Sequence, residues 1–443
     1  MTEGRVAFGA ALAVVLCGCG ESSNSGSCEP AACAAACRTS GYTSGSCTDG
    51  TCRCTGATDA GADSDSDAGA DDAPEARDDG GEDPGTRSFI WIANTGEGTL
   101  SKVNTVTAVE VARYITGPYG TANDPSRTSV NRHGDMVVTN RNPNLIARSS
   151  TTKFAGDEAD CVDRNGNGAI DTSTGPGDVR PWLEDECMLW NTEFGPPAGG
   201  RPTAWDGRED PETGLGGHVW VATCSWGLRA NVVYRLDGDT GEILGEGPAP
   251  GGCPYGGAVD RNGDFWYVNN HTAPRIVRVD GGTMATAEYP IGGIGLCHYG
   301  IAIDSDGRIW TGGSLCVRRF DPGDESEVIT QVGGDCPRCT MLRGIAVGRE
   351  LSAGFVWAAD SSGDIVKIDQ ASGAFVTSIP VGVPDTIGVA IDFEGYVWAV
   401  SQGANAAYKI DPRTSTFVTV PIGNGPYTYS DMTGVQLENV ILL

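Results

Sequence analysis

Histidine is scarce in this chain, with four in 443 residues, and Lys plus Arg number 30 against 58 Asp plus Glu. A net charge of −28 repels nucleic acid and anionic membranes, which argues against both as partners. Part of that charge is local, in an acidic stretch described below. The sequence has no Ser-His-Asp order, no phosphate-cradling glycine loop and no His-x-x-x-His pair, so the common hydrolase, nucleotide and zinc-protease signatures are missing. The apolar run from Val6 to Leu16 is well short of the roughly 20 residues that span a bilayer.

What is abundant is glycine. Gly 65 with 39% hydrophobic residues suits a turn-rich β protein. The clearest motif is Gly300-Ile301-Ala302-Ile303-Asp304-Ser305-Asp306-Gly307-Arg308-Ile309-Trp310: two alternating runs around a Gly-containing turn, the pattern of a β-hairpin. Its tryptophan position recurs as Trp91, Trp220, Trp266, Trp310, Trp357 and Trp398, with Met136 in the same slot. The spacing is about 45 residues except for one long interval, which is one repeat plus an insertion. The expectation is an all-β, seven-bladed β-propeller over 88–443, with strands a to d in each blade running from the axis outwards. The first unit begins at Phe89 without a strand a. Tyr429 to Leu437 is the spare strand expected to close it from the C-terminus and remove an open sheet edge.

The segments before the propeller read differently. Arg5, the apolar run and Leu16-Cys17-Gly18-Cys19 look like a lipoprotein signal peptide over 1–18 with Cys19 as the lipidated residue. Ordinary signal cleavage is the alternative. Removing Cys17 and Cys19 from the sixteen cysteines leaves fourteen, an even number suited to disulfides in an oxidising compartment. Residues 19–54 form a small Cys-rich segment with Cys28, Cys33, Cys37, Cys47, Cys52 and Cys54. It has too few apolar residues for a core, so disulfides would hold it. A zinc knuckle is the alternative, disfavoured by the lack of histidine there. Residues 55–87 are Ala/Gly/Asp/Glu-rich and read as a disordered acidic linker. The expected location is the periplasm or cell surface, with the outer membrane favoured and the lipid as sole membrane contact; the expected state is a monomer.

The insertion, at about 151–187, leaves the second unit between strand c (about Leu145 to Ser150) and strand d (about Met188 to Phe194). It carries Asp163-x-Asn165-x-Asn167-Gly168-Ala169-Ile170-Asp171, a calcium-loop pattern with side-chain oxygens at positions one, three, five and nine and the Ala169 carbonyl at seven. The acidic run Glu184, Asp185, Glu186 is expected to complete the Ca2+ site through Asp185, brought near by a Cys161–Cys187 disulfide. An Asn/Gly turn without an ion is the alternative. Further pairs expected are Cys224–Cys253, Cys297–Cys316 and Cys336–Cys339, all on the face that carries the d–a and b–c loops. Cys336-Pro-Arg-Cys339 has a second reading as a redox pair, but no βαβ context surrounds it. The same face gathers Asn94, Tyr119, Asn140, Arg141, Trp226, Tyr255, Asn269, Asn270, His271, His298, Tyr299, Arg343, Asp360, Tyr427 and Asp431, a candidate surface for an unidentified protein or small-molecule ligand.

Residues 89 to 437 resemble the streptogramin B lyase (virginiamycin B lyase) propellers. The resemblance rests on the motif ending at Trp310 and on Gly388-Val389-Ala390-Ile391-Asp392-Phe393-Glu394-Gly395-Tyr396-Val397-Trp398. It implies a seven-bladed fold. For activity it implies a histidine at the start of a strand a, a glutamate three residues after the following tryptophan, and an assisting Mg2+. His298 fits the first position, with His271 on the neighbouring blade. The glutamate position holds Gly313, and in the other units Asn94, Thr139, Thr223, Asn269, Asp360 and Ser401. Two functions follow as expectations: a binding or interaction platform in an exported, membrane-anchored lipoprotein, and, as the alternative, a metal-assisted lyase using His298 and His271.

Overall fold

A computed structural model describes residues 42–48, 51–57, 88–142, 148–195, 199–225, 230–269, 274–291, 297–382 and 384–441. The chain divides into two units, 1–80 and 81–443. In the first, Tyr42–Thr48 and Thr51–Ala57 form an antiparallel hairpin with Cys47 opposite Cys52 in register. The expected signal peptide, the lipid site at Cys19 and most of the linker lie outside the described residues. No helix among them is long and apolar enough to cross a membrane.

The second unit is a ring of seven antiparallel sheets, six of them four-stranded and the first three-stranded. Blade 1 is Phe89–Asn94, Thr99–Asn104 and Val109–Ile115. Blades 2 to 7 open with strands a at Pro125–Val130, Gly199–Trp205, Pro254–Val259, Ile301–Ile303, Leu342–Val347 and Thr386–Ile391. Strands b of blades 3 to 7 carry the repeated tryptophans, each at most 3% exposed. These indoles pack in the layers between adjacent sheets. Trp220, for example, stacks on Phe265 of blade 4 with ring centroids 5.8 Å apart. The period of about 45 residues is therefore one sheet plus one inter-blade core layer.

Ring closure differs in detail from the sequence expectation. The C-terminal segment does run beside the first blade, but through residues 426–432: Trp91 N donates to Met432 O at 2.9 Å, and Tyr427 N to Ala93 O at 2.9 Å. Asn94 bridges Pro426. Thr433 to Leu437, expected to extend this strand, leave it. Gly434 adopts a positive φ of 86°, and Val435–Ile441 form a short helix, α1. Asp431 starts the turn by accepting from the backbone N–H groups of Thr433, Gly434 and Leu437. Helix α1 lies across the axis. Leu437 packs with Trp205 and Val219, Val440 with Ile301 and Ile303, and Val435 with Val389 and Ile391. Gln436 exchanges hydrogen bonds with the Val347 backbone, and Arg349 pairs with Glu438 at 3.0 Å. The helix thus plugs the a–b end of the channel, and Asp431 belongs there rather than on the cysteine-rich face.

Strand c of blade 2 is Ser150–Phe154, four to five residues later than expected from the sequence, and strand d is Met188–Glu193. The insertion between them projects from a c–d turn as anticipated.

Candidate functional site

The four disulfides in the propeller are Cys161–Cys187, Cys224–Cys253, Cys297–Cys316 and Cys336–Cys339, the pairs expected from the sequence. Cys224 and Cys253 join one buried cluster with Tyr255, Tyr299, Ile387, Tyr427 and Tyr429. Cysteine-rich face and channel mouth are therefore continuous. The mouth is built from one repeated position, five residues before the slot that ends strand a (Asp206, Asp260, Asp304, Gly348 and Asp392 in blades 3 to 7). Arg201, Tyr255, Tyr299, Arg343 and Ile387 occupy it in blades 3 to 7, and Tyr429 comes in from the closing segment. Glycines follow Tyr255 and Tyr299 because neighbouring strands approach too closely for a side chain: a Cβ at Gly300 would sit 2.2 Å from Arg343 O.

Three phenols meet at the axis. Tyr255 Oη lies 3.3 Å from both Tyr299 Oη and Tyr427 Oη, and the last two also hydrogen-bond each other. Arg127, fully buried, lays its guanidinium 3.3 Å over the Tyr429 ring. Arg201 stands 4.8 Å over Tyr255, and Arg141, ion-paired with Asp124, 4.6 Å over Tyr427. Burial alone would raise the Tyr255 phenol; the guanidiniums of Arg201 and Arg127, with hydrogen bonds from the neighbouring phenols, outweigh it and bring the pKa down to about 8. Burial pushes Tyr299 and Tyr427 upward, and a Tyr255 phenolate would push them further. Burial also pulls Arg127 down to about 9. Arg127, Arg201 and Tyr429 were not singled out from the sequence. Alignment on the Ala-x-Asp end of strand a (Ala204-Trp205-Asp206) places Arg201 at this position, while Arg127 projects from the next position along.

The lyase-type residues fall differently. His298 is 5% exposed, and its Nδ1 has no hydrogen-bond partner among the described residues. Burial and the adjacent Arg318 hold its pKa below the ordinary imidazole value. A neutral ring beside a guanidinium, with no carboxylate hydrogen-bonded to it among the described residues, does not fit a magnesium site. His271, with Asn270 and Trp226, lies outside the described residues. The residues three after each tryptophan are tied into structure. Asn94 donates to Thr99 and Ser101, and Asn269 to Gly251 O. Asp360 accepts from the backbone N–H groups of Thr340, Met341 and Ser362, and Ser401 donates to Pro384 O. In most blades this position fastens strand b to a neighbouring strand or to the d–a loop, and Gly313 has no side chain to do either.

The insertion folds around its loop. Asp163 accepts from Gly166 N at 2.7 Å and Gly168 N at 2.9 Å, and Asn165 and Asn167 both hydrogen-bond Asp171. Gly166 and Gly168 take positive φ of 71° and 84°. Hydrogen bonds from the two amides hold Asp171 below the usual carboxylate range. The acidic residue that closes over the loop is Glu186, not Asp185. Glu186 accepts from the N–H groups of Arg164, Asn165 and Asp171, whereas Asp185 turns to Thr172, Ser173 and Cys187. Asp163, Asn165, Asn167, Asp171 and the Ala169 carbonyl are hard oxygen donors of the type that suits a calcium ion. A second group that could hold a metal is His133, Asp135 and Asp160. His133 Nε2 lies 2.8 Å from Asp160 and its Nδ1 3.3 Å from Pro211 O, while Asp135 is paired with Lys153 at 2.9 Å. Cys336, Cys339 and Asp364 also cluster, but the two sulfurs are joined to each other.

Neither a family model nor a curated relative matches the chain. Solved structures do. Virginiamycin B lyase from Staphylococcus aureus is 17% identical with a TM-score of 0.50, over 69% of this chain and 88% of that one. A streptogramin B lyase structure is 17% identical with a TM-score of 0.48, over 69% and 86%. AztD from Citrobacter koseri is 12% identical with a TM-score of 0.48, over 77% and 96%. At such identities a likeness speaks for architecture alone. The chain is a seven-bladed β-propeller similar in fold to virginiamycin B lyase.

Proposed function

We propose that this protein is an exported, lipid-anchored binding propeller: a rigid ring on an acidic tether, meeting a ligand or partner at the cysteine-rich mouth of its channel. Calcium orders the insertion on the opposite face, and Cys19 supplies the anchor, with the outer membrane as its favoured location. The observation that carries this reading is the contrast between the two candidate sites. At the axis, phenols and guanidiniums from several blades converge on one point. At the lyase position, His298 Nδ1 has no hydrogen-bond partner among the described residues, and Gly313 stands in the glutamate position.

The test has two parts. Full-length protein with magnesium and a cyclic depsipeptide of the streptogramin B class should show no turnover; turnover abolished by His298→Ala would replace this reading with the lyase. Cys19→Ala should move the protein from the membrane fraction to the soluble exported fraction, and unchanged fractionation would remove the anchor.

A further inference from the structure

The channel mouth runs against the charge of the whole chain. In a sequence with net charge −28, four arginines stand at or beside the aromatic cluster: Arg127, Arg141, Arg201 and Arg343. Among the described residues, the carboxylate facing them is Asp124, held by Arg141. Arg127 is the most constrained. It is fully buried; Nε reaches Tyr255 O at 3.3 Å, Nη1 reaches Ser126 O at a long 3.4 Å, and Nη2 has no partner among the described residues. Arg343 Nε likewise lacks one. A guanidinium out of water needs a counter-charge or a full set of acceptors, because desolvation is otherwise uncompensated. Aromatic faces and two carbonyls supply part of that, and among the described residues no carboxylate hydrogen-bonds Arg127.

We propose that the axial mouth is an anion site for a carboxylate or phosphate group. The anionic oxygen accepts from Arg127 Nη2, with Arg201 and the Tyr255 hydroxyl as further donors. This deepens the binding reading above and rests on it. The donor set suits the class: guanidinium forks match planar and tetrahedral oxyanions, and phenols donate where an anion is present. The rings of Tyr255, Tyr299, Tyr427 and Tyr429 form the wall, which gives room for an apolar or aromatic body behind the charged group. Tyr427 Oη hydrogen-bonds both Tyr255 and Tyr299, so entry requires this trio to part. Before a ligand arrives, the same electropositive field favours the Tyr255 phenolate, an internal stand-in for the missing charge.

The experiment is calorimetric titration of the full-length protein with inorganic phosphate and, separately, acetate at constant ionic strength. In parallel, tyrosinate absorbance near 295 nm is followed at pH 8. The expected result is saturable binding of at least one anion, loss of tyrosinate absorbance on saturation, and at least tenfold weaker binding in Arg201→Gln or Arg343→Gln. These two partly exposed positions are chosen because Arg127→Gln could fail to fold. Phosphate binding without acetate assigns the phosphate class, and the reverse assigns the carboxylate class. Absence of saturable binding by either anion to folded protein overturns the anion site, as does binding that neither substitution weakens. A ligand or partner that still engages this face in that case leaves the binding propeller standing without the anion.

Discussion

Asp304, at the end of strand a in blade 5, accepts the indole N–H of Trp310 at 2.9 Å across the a–b turn. Asp260 and Trp266 make the same contact at 2.8 Å, as do Asp392 and Trp398. Each aspartate also accepts backbone N–H groups of its own turn, so one carboxylate fixes the hairpin and orients the indole between sheets. Other blades depart from this pattern, each in its own way. In blade 2 the tryptophan is Met136 and the aspartate is Asn131, which still accepts from the turn. In blade 6 the aspartate is Gly348, and Trp357 Nε1 has no partner among the described residues. The short helical turn Glu350–Ser352 explains that glycine, since a Cβ at 348 would lie 2.0 Å from Ser352 O.

Asp304→Asn should therefore destabilise the propeller by about 1–3 kcal/mol, the size of a buried hydrogen bond to a charged group. The urea midpoint should fall with an unchanged m-value. Gly348→Asp, which supplies the missing acceptor, should destabilise rather than rescue, because backbone occupies the space. A neutral Asp304→Asn or a stabilising Gly348→Asp would show that the turn clamp does not matter.

The repeat was legible because its carriers are local: alternation, an Asp-Gly turn and a tryptophan recur in each unit, and a propeller blade is a local structure. The insertion and the disulfide pairs followed from position within the repeat. Helix α1 was not legible in the same way. Tyr429 to Leu437 alternates well enough for a strand, and its conversion to turn and helix depends on Asp431 capping and on Leu437 and Val440 finding the open end of a channel that no local pattern encodes. Glu186 and Asp185 are adjacent, and chain direction after Cys187 decides which reaches the loop. Arg127 escaped notice because an arginine in a strand reads as a solvated side chain until seven blades close around it.

Calcium at the insertion should be local in its effect. Chelation is expected to expose 161–187 to protease while the sheets stay folded, and Asp163→Ala should mimic chelation. Limited proteolysis with elemental analysis reads this directly. Identical cleavage with and without chelator, and no bound ion, would reject the site.

The insertion is also stapled at its base by His133. Both ring nitrogens face acceptors, Asp160 and Pro211 O, an arrangement that suits the imidazolium. Burial opposes the charge, but the hydrogen bonds to Asp160 and Pro211 prevail and raise the pKa above its ordinary value. The sign follows: this stabilisation is fully present below the unfolded value of about 6.5 and is lost as pH rises through the higher folded value. With calcium held saturating, protease release of the insertion should accelerate between neutral and alkaline pH in wild type. His133→Gln should be released faster at low pH and show a flat profile. A wild-type profile as flat as the variant's would remove the staple.

Asp431 makes the opposite kind of demand on the fold. It is a partly buried carboxyl placed where the chain turns from the closing segment into the channel plug, and desolvation there raises its pKa to about 6 against the pull of backbone N–H groups from Thr433, Gly434 and Leu437. With an unfolded pKa near 3.8, the native state favours the proton. The contribution to stability is therefore fully present below about pH 4 and lost as pH rises through about 6. A shift of this size corresponds to roughly 3 kcal/mol at most. Asp431→Asn removes the titration and keeps one acceptor, at the cost of the hydrogen bond from Leu437 N. Urea unfolding of both proteins across pH 4.5 to 7.5 cancels the carboxylates they share. The stability of wild type relative to the Asn variant should decline by about 2 kcal/mol over that range. A difference that stays constant would mean that water or backbone movement relieves the buried charge, and that the plug is held by the apolar contacts of Leu437 and Val440 instead.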